Sequence, residues 1–407
     1  MSALRAEPAG RGRYLAAMGD WLACAVAGAG ERAPQALLGM GDGLLDAVAF
    51  AGAAGHVLDY DDTLPDGIAH VSAATAPAAL VVGASLGVSL GEVVDAFAEG
   101  WEAMAAVACA SHPALYDGGW HPTAVCGPIG AAVACSSLLG LSPDERESAV
   151  AVALLRAGGA RGAFGSDGKA IQVGLAAAAG VQAALLARAG TRVQFSRAVE
   201  GLFGWASVTG GRFVAPSGGA IERNWVKLHP SCLGTHSAID AALGLAFDEG
   251  VLEVVVDPSS RAAAHLDAVH DPLEGKFSIP YCVAFTLVRG RAPRVRDFES
   301  LDPAVVRAAR RVGVVVDDAM SPWSAVLRCG GRELARVPCP RGAPERPATA
   351  EELRAKWVDL AGPALVPALA DLDVPAADVL ERSLAPKSVM KDFLAKVRGG
   401  GVAVAAR

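Results

Sequence analysis

Lysine is scarce in this chain. Of 36 basic residues only seven are lysine (169, 227, 276, 356, 387, 391 and 396), so an ordinary surface cation is written here as arginine. A retained lysine therefore points to a task that arginine does poorly, presenting a compact ammonium or changing its protonation state. Charge as a whole is thin, at 19% of residues against 52% hydrophobic, and the net charge of −7 contains no contiguous basic run longer than Arg310-Arg311. That excludes a nucleic-acid footprint. The eight cysteines (24, 109, 126, 135, 232, 282, 329 and 339) include no C-x-x-C pair, which removes the usual zinc, iron–sulfur and dithiol signatures. They read as reduced, buried thiols. No apolar segment of signal-peptide type follows the first basic residues, so the sequence predicts a cytoplasmic protein. Two long apolar runs, 122–141 and 171–189, are built mainly from Ala and Gly with Pro, Ser and Gln interposed. They lack the Leu/Ile/Phe density of a membrane span and read as helices of a soluble core, with no membrane partner.

What is present divides the chain. A length of 407 residues exceeds what one core usually holds, so two unequal domains are expected. From Tyr14 to about Ala220 the pattern is helical and rich in Ala, Leu and Gly, with helices predicted at 13–26, 43–59, 72–86, 91–111, 123–139, 143–155 and 169–189. The run SPDERESAV supplies a start signal, with Ser142 as N-cap, Pro143 at the first helical position and acids in the first turn. Beyond Trp225 come strand-like VLEVVVD (251–257) and VGVVVDD (312–318), then two alternating arms around Gly330-Gly331 that read as a hairpin. Helical stretches at 234–247, 303–311 and 350–360 interleave with and follow them, and AADVLERSL and SVMKDFLAKV continue the helical pattern. The predicted fold is mainly α. A large all-helical domain is made by both chain ends (1–224 and 350–407), with a smaller α+β lid (225–349) inserted between them.

Ionisable residues concentrate in a few stretches. HVLDYDDTLPDGIAH (56–70) holds three acids in four positions. A helix running from Gly43 to Asp62 would place Asp59 and Thr63 on one face with Asp62 beside them, and His70 would start the next element. The alternative, plain helix-end charge with a capping loop, is weakened because Asp at a helix C-terminus is electrostatically unfavourable. GGWHPTAV (118–125) sets His121 before a Pro-Thr helix start, facing a cleft or packed in the core. FGSDGKA (164–170) fails as a phosphate loop, because Ala163 and Ala170 stand where Gly and Ser/Thr are required. It still places Lys169 at a helix start, suited to an anion. WVKLHPSCLGTHSAIDAAL (225–243) gathers Lys227, His229, Cys232 and His236 without the further ligand that a zinc site would need. KFSIPYCVAF (276–285) adds Lys276, Ser278 and Tyr281.

In order, GHVLDYDDT with His70, GGWHPTAVCGPIGAAVACSSLLGLS, GSDGKAIQVGLAAAAGVQAALLA, KLHPSCLGTHSAIDAA and KFSIPYCVAFTLVRG resemble the MmgE/PrpD family, which includes 2-methylcitrate dehydratases, cis-aconitate decarboxylases and an iminodisuccinate epimerase. The resemblance implies a homodimer and a site free of cofactor and metal, acting on a small di- or tricarboxylate. Asp59, His70, His121, Lys169 and Lys227 would do the chemistry, and Thr63, Tyr281, Cys232 and His236 would bind substrate. It implies a lyase, most simply a hydro-lyase of the 2-methylcitrate dehydratase type. An epimerase, isomerase or decarboxylase would share the proton-abstraction step, and a non-catalytic carboxylate-binding protein would share the fold. Three departures stand against the family pattern: a shorter stretch before Asp59, Cys232 where decarboxylase-like members have histidine, and Gln172 where many relatives have histidine.

Overall fold

The computed structural model describes residues 10–41, 43–245 and 250–384. Among the described residues, α1 (Arg11–Gly28), α2 (Arg32–Leu38), α3 (Leu44–His56), α4 (Val71–Leu86), α5 (Leu90–Ser111), α6 (Ala114–Asp117), α7 (Pro122–Leu138), α8 (Pro143–Leu155) and α9 (Asp167–Arg188) come first. Ser89, Ser142 and Ser166 cap α5, α8 and α9 through their hydroxyls, and Glu92 and Glu145 complete capping boxes at the first two. The sequence expectations for these helices hold to within a few residues, except at the end of α3. There the predicted helix continues to Asp59 and beyond, whereas the observed one stops at His56, because Asp59 adopts a left-handed backbone with φ 52°. The pairing of Asp59 with Thr63 along one helix face is therefore overturned.

The sheet is small, in the order β2-β1-β3-β4, with β1 (Leu252–Val256), β2 (Val312–Val316), β3 (Ala325–Cys329) and β4 (Arg332–Val337). β1 and β2 are parallel, and their connection carries the helix Ile279–Arg289, as parallel pairing requires a crossover. β3 and β4 form the expected hairpin, with Gly330 and Gly331 both at positive φ, the backbone of the tight turns that match strand twist. Further helices follow at Ala350–Ala361 and Ala376–Leu384. The expected helical run SVMKDFLAKV lies outside the described residues.

Among the described residues two apolar clusters are present. One draws on residues between Tyr14 and Ile221 and again between Leu360 and Leu380; the other lies between Cys232 and Val337. In the first, α9 packs against α3, α7 and α8. By length and composition α9 would pass as a membrane span, but 61% of its apolar window is buried within the structure. Its contact with α3 is made through glycines: a Cβ on Gly174 would run into the Ala49 carbonyl oxygen, and one on Gly52 would meet Gly174 Cα at 2.9 Å. Since α9 also carries Lys169, this close approach fixes where the ammonium emerges. Gly174→Ala is expected to lower stability by about 1–3 kcal/mol, the usual range for an overpacked core, as read from chemical denaturation.

Candidate active site

The stretch from Val57 to His70 is irregular, yet most of it is buried. Thr63 exchanges two backbone hydrogen bonds with Trp225, at 3.0 and 2.8 Å, and Leu64 bridges to Ala69. The first pairing locks this loop to the segment that leads into Lys227. Freed from a helix, the three aspartates reach three different sets of partners. Asp59 Oδ1 lies 2.6 Å from Lys169 Nζ and 3.2 Å from Lys227 Nζ, while Lys227 also donates to the Asp59 carbonyl. Asp61 Oδ2 lies 2.9 Å from His56 Nδ1 and 3.1 Å from His70 Nδ1. Asp62 Oδ2 accepts from Ser72 and Asn224.

Each environment sets a different charge. Burial alone would raise Asp59, but Lys169 and Lys227, then His70 and His56, hold it well below the usual carboxylate range. Asp61 is likewise pushed up by burial but held below the usual carboxylate range by His56 and His70. Burial and the neighbouring Asp20 push Asp62 up to about 8 against the hydrogen bonds from Ser72 and Asn224. Two ionised carboxylates and one protonated acid thus occupy a four-residue span.

His70 precedes α4, and its backbone N–H donates to Thr123 Oγ1 at 3.0 Å. His121 precedes α7, with Pro122 at the first helical position as expected. Lys169 sits in the first turn of α9. Three helix N-termini therefore deliver the three side chains to one place, and their partial positive charge favours an anion there. Asp59, Thr63, His70, His121, Lys169 and Cys232 line a cavity of about 40 Å³, room for about two or three waters. The rest of its wall is largely apolar, with Tyr116, Phe164, and Phe277 and Trp323 of the second cluster, the Phe164 ring stacking on that of Phe277. His121 is held well below its ordinary value by burial, then by His56, Lys169 and His70, so it is neutral. Burial pushes the Cys232 thiol up to about 11, which leaves it protonated and unsuited to nucleophilic attack.

The other expected residues fall elsewhere. Lys227 is fully buried and supports Asp59 from behind. Tyr281 and His236 were expected at the substrate, but neither lines this cavity. The Tyr281 hydroxyl accepts from the Asp302 N–H while its ring meets Phe298, and His236 contacts the Ser231 carbonyl and packs against His229. Both are buried, Tyr281 within the second cluster.

Sequence reasoning noted Lys276 and the acid at Asp61 without placing either in the site, and it passed over His56 and Lys356, although the scarcity of lysine marked both lysines. Lys276 donates to the Leu58 carbonyl, and burial brings it down to about 8. Lys356 Nζ bonds Asp20, the Tyr60 carbonyl and the Lys227 carbonyl at 2.8–3.0 Å, holding both loops from outside the cavity. Among the described residues, His56, Asp61 and His70 have donor atoms within 4.8 Å of one another, the spacing that a metal ion would need. His56 Nδ1 and Asp61 Oδ2 are hydrogen-bonded to each other at 2.9 Å, while His70 Nδ1, 3.1 Å from the same oxygen, has no hydrogen-bond partner among the described residues.

The raised Asp62 sets a pH dependence of stability. The folded state keeps a proton that the unfolded chain loses near pH 4, so this group's contribution falls as pH rises from about 4 to about 8 and is flat above that. Asp62→Asn removes the titration. The variant's Tm relative to the natural chain is expected to rise steadily across that window, as checked by thermal scans from pH 4 to 9.

Two family descriptions match the chain: the MmgE/PrpD N-terminal domain over residues 43–214 and the MmgE/PrpD C-terminal domain over residues 229–381. A protein of Aspergillus oryzae named cis-aconitate decarboxylase-like protein oryM is 37% identical over 141 residues, 31% of this chain and 29% of that relative. The chain thus spans less than a third of that protein's length. With most of its length matched by both halves of one family, the chain belongs to the MmgE/PrpD family, which includes dehydratases and decarboxylases acting on carboxylates.

Proposed function

We propose that the protein is a cofactor-independent lyase that removes a proton α to a carboxylate of a small di- or tricarboxylate, most simply a hydro-lyase of the 2-methylcitrate dehydratase type. One observation carries the reading: an imidazole at a cavity, His70, stands against an ionised carboxylate, Asp61, while a lysine ammonium, Lys169, lies beside it. With the Asp61 carboxylate 3.1 Å from Nδ1, Nε2 is the ring nitrogen left to act as the base. Asp59 is too weak a base for a C–H proton and serves instead to hold Lys169 and Lys227.

In the proposed step His70 Nε2 takes the α proton and the C–H electron pair moves onto the carboxylate oxygens. Lys169, the helix N-termini and His121 stabilise that charge. The proton and the β-hydroxyl then leave, in net balance, as water. Thr63 and Cys232 contact the bound acid, and the apolar wall faces its carbon skeleton. A di- or tricarboxylate is larger than two or three waters, so the wall contributed by Phe277 and Trp323 moves away from the helical side on entry. In the same reading the larger helical cluster and the α+β cluster are domain and lid, and the protein works as a cytoplasmic homodimer with no metal, nucleic acid or membrane as partner.

Asp61→Asn and His70→Ala are expected to lower kcat by roughly 10²- to 10⁴-fold, and Lys169→Met chiefly to raise KM, in steady-state assays over a carboxylate panel. Full turnover by both Lys169→Ala and His121→Ala would sink the assignment. Product NMR in deuterated water separates the chemistries. Loss of water marks a hydro-lyase, loss of carbon dioxide a decarboxylase, and deuterium uptake without either an epimerase. Thermal stabilisation by carboxylates with no product under any condition would instead identify a binding protein.

A further inference from the structure

His121 is buried, lines the cavity and is neutral, so its role depends on which ring nitrogen carries the proton. A second residue settles that. Gln172, one turn beyond Lys169 on α9, reaches the backbone of Ala160 with both ends of its amide: Oε1 accepts from the Ala160 N–H at 3.0 Å, and Nε2 donates to the Ala160 carbonyl at 3.2 Å. A peptide N–H can only donate and its carbonyl can only accept. This clamp therefore fixes the orientation of the amide without reference to the histidine. Turning the amide over would set an NH₂ against an N–H and an oxygen against an oxygen.

The second N–H of the same amide nitrogen points to His121 Nδ1, at 2.7 Å. An amide NH₂ has no lone pair to offer, so Nδ1 has to accept, and in a neutral ring the proton then sits on Nε2. The backbone keeps clamp and ring together. The His121 N–H donates to the Gly159 carbonyl at 3.0 Å, the Arg161 N–H donates to the Gly119 carbonyl at 2.9 Å, and Trp120 bridges to Ala160.

We infer that Gln172 is a positioning residue that holds His121 as the tautomer protonated on Nε2, so that this imidazole gives a hydrogen bond to a substrate oxygen and does not act as the base. The functional half of the inference rests on the cavity being the active site; the tautomer does not. Within that reading the donor meets the carboxylate oxygens as charge builds on them, and proton removal is left to His70. No proton is lost from His121, since the contribution is a hydrogen bond that shortens as the oxygen becomes more negative.

The test uses the full chain labelled with ¹⁵N-histidine. Long-range proton–nitrogen spectra near neutral pH are read for the His121 ring, assigned by the signals missing in His121→Asn. In the natural chain Nδ1 is expected at the shift of a bare nitrogen and Nε2 at that of a protonated one. Gln172→Glu replaces the donor with an acceptor, so the proton moves to Nδ1 or the ring becomes doubly protonated. Gln172→Met, of similar length but with no polar atoms, should yield a mixture of tautomers. A protonated Nδ1 in the natural chain overturns the inference, as does an unchanged tautomer in either folded variant. In turnover assays, kcat of Gln172→Met is expected to fall roughly tenfold or more with KM within about twofold, and Gln172→Glu to gain a titration in its pH–rate profile. The expected tautomers without turnover on any carboxylate would leave the inference standing and overturn the proposed function.

Discussion

One oxygen of one carboxylate organises this site. Asp59 Oδ1 is shared by two lysines that arrive from positions 110 and 168 residues further along the chain. Neither the carboxylate nor the ammonium groups could be buried alone without a desolvation cost of several kcal/mol each. Their mutual contact makes burial tolerable. The left-handed turn at Asp59 follows from the same constraint, since a helical residue at that place would keep its side chain on the α3 face.

The neighbouring aspartates illustrate how little residue type decides. Asp59, Asp61 and Asp62 differ by a few ångströms of backbone, yet two are ionised and one is protonated at neutral pH. What separates them is whether a lysine, two imidazoles or only neutral donors stand opposite. The arrangement gives the site a charged rim for an anion while keeping a third formal charge off an already crowded loop.

Much of this was legible in the sequence, and the remainder shows where periodicity stops informing. The helix starts at His121 and Lys169 are written locally, in Pro-Thr and Ser-Asp-Gly signals, and Pro65 and Gly67 break the chain ahead of His70, so all three residues could be placed at helix N-termini from the chain alone. The strands and the Gly-Gly hairpin are equally local. The end of α3 was misjudged because its apolar spacing runs smoothly into DYDDT, and nothing in that spacing reveals a backbone turned left-handed to satisfy lysines far away. Tyr281 and His236 lie within matching motifs, but a motif gives position and not the direction in which a ring points. Asp61 lacked any local sign that set it above Asp62. Lys356 stood out by its rarity, but its partners, 129 to 336 residues distant, did not.

The contacts of Lys356 also bear on how the molecule is assembled. Its ammonium joins Asp20 on α1 to carbonyls at Tyr60 and Lys227, so the loops bearing Asp59 and Lys227 share a tie supplied by a helix near the end of the described chain. During synthesis the segments that line the cavity emerge well before the residue that braces them. Contacts of such long sequence separation carry a large loop-closure cost and form late. The order of translation therefore runs opposite to the order of structural dependence, and the cavity is braced only after Lys356 has left the ribosome.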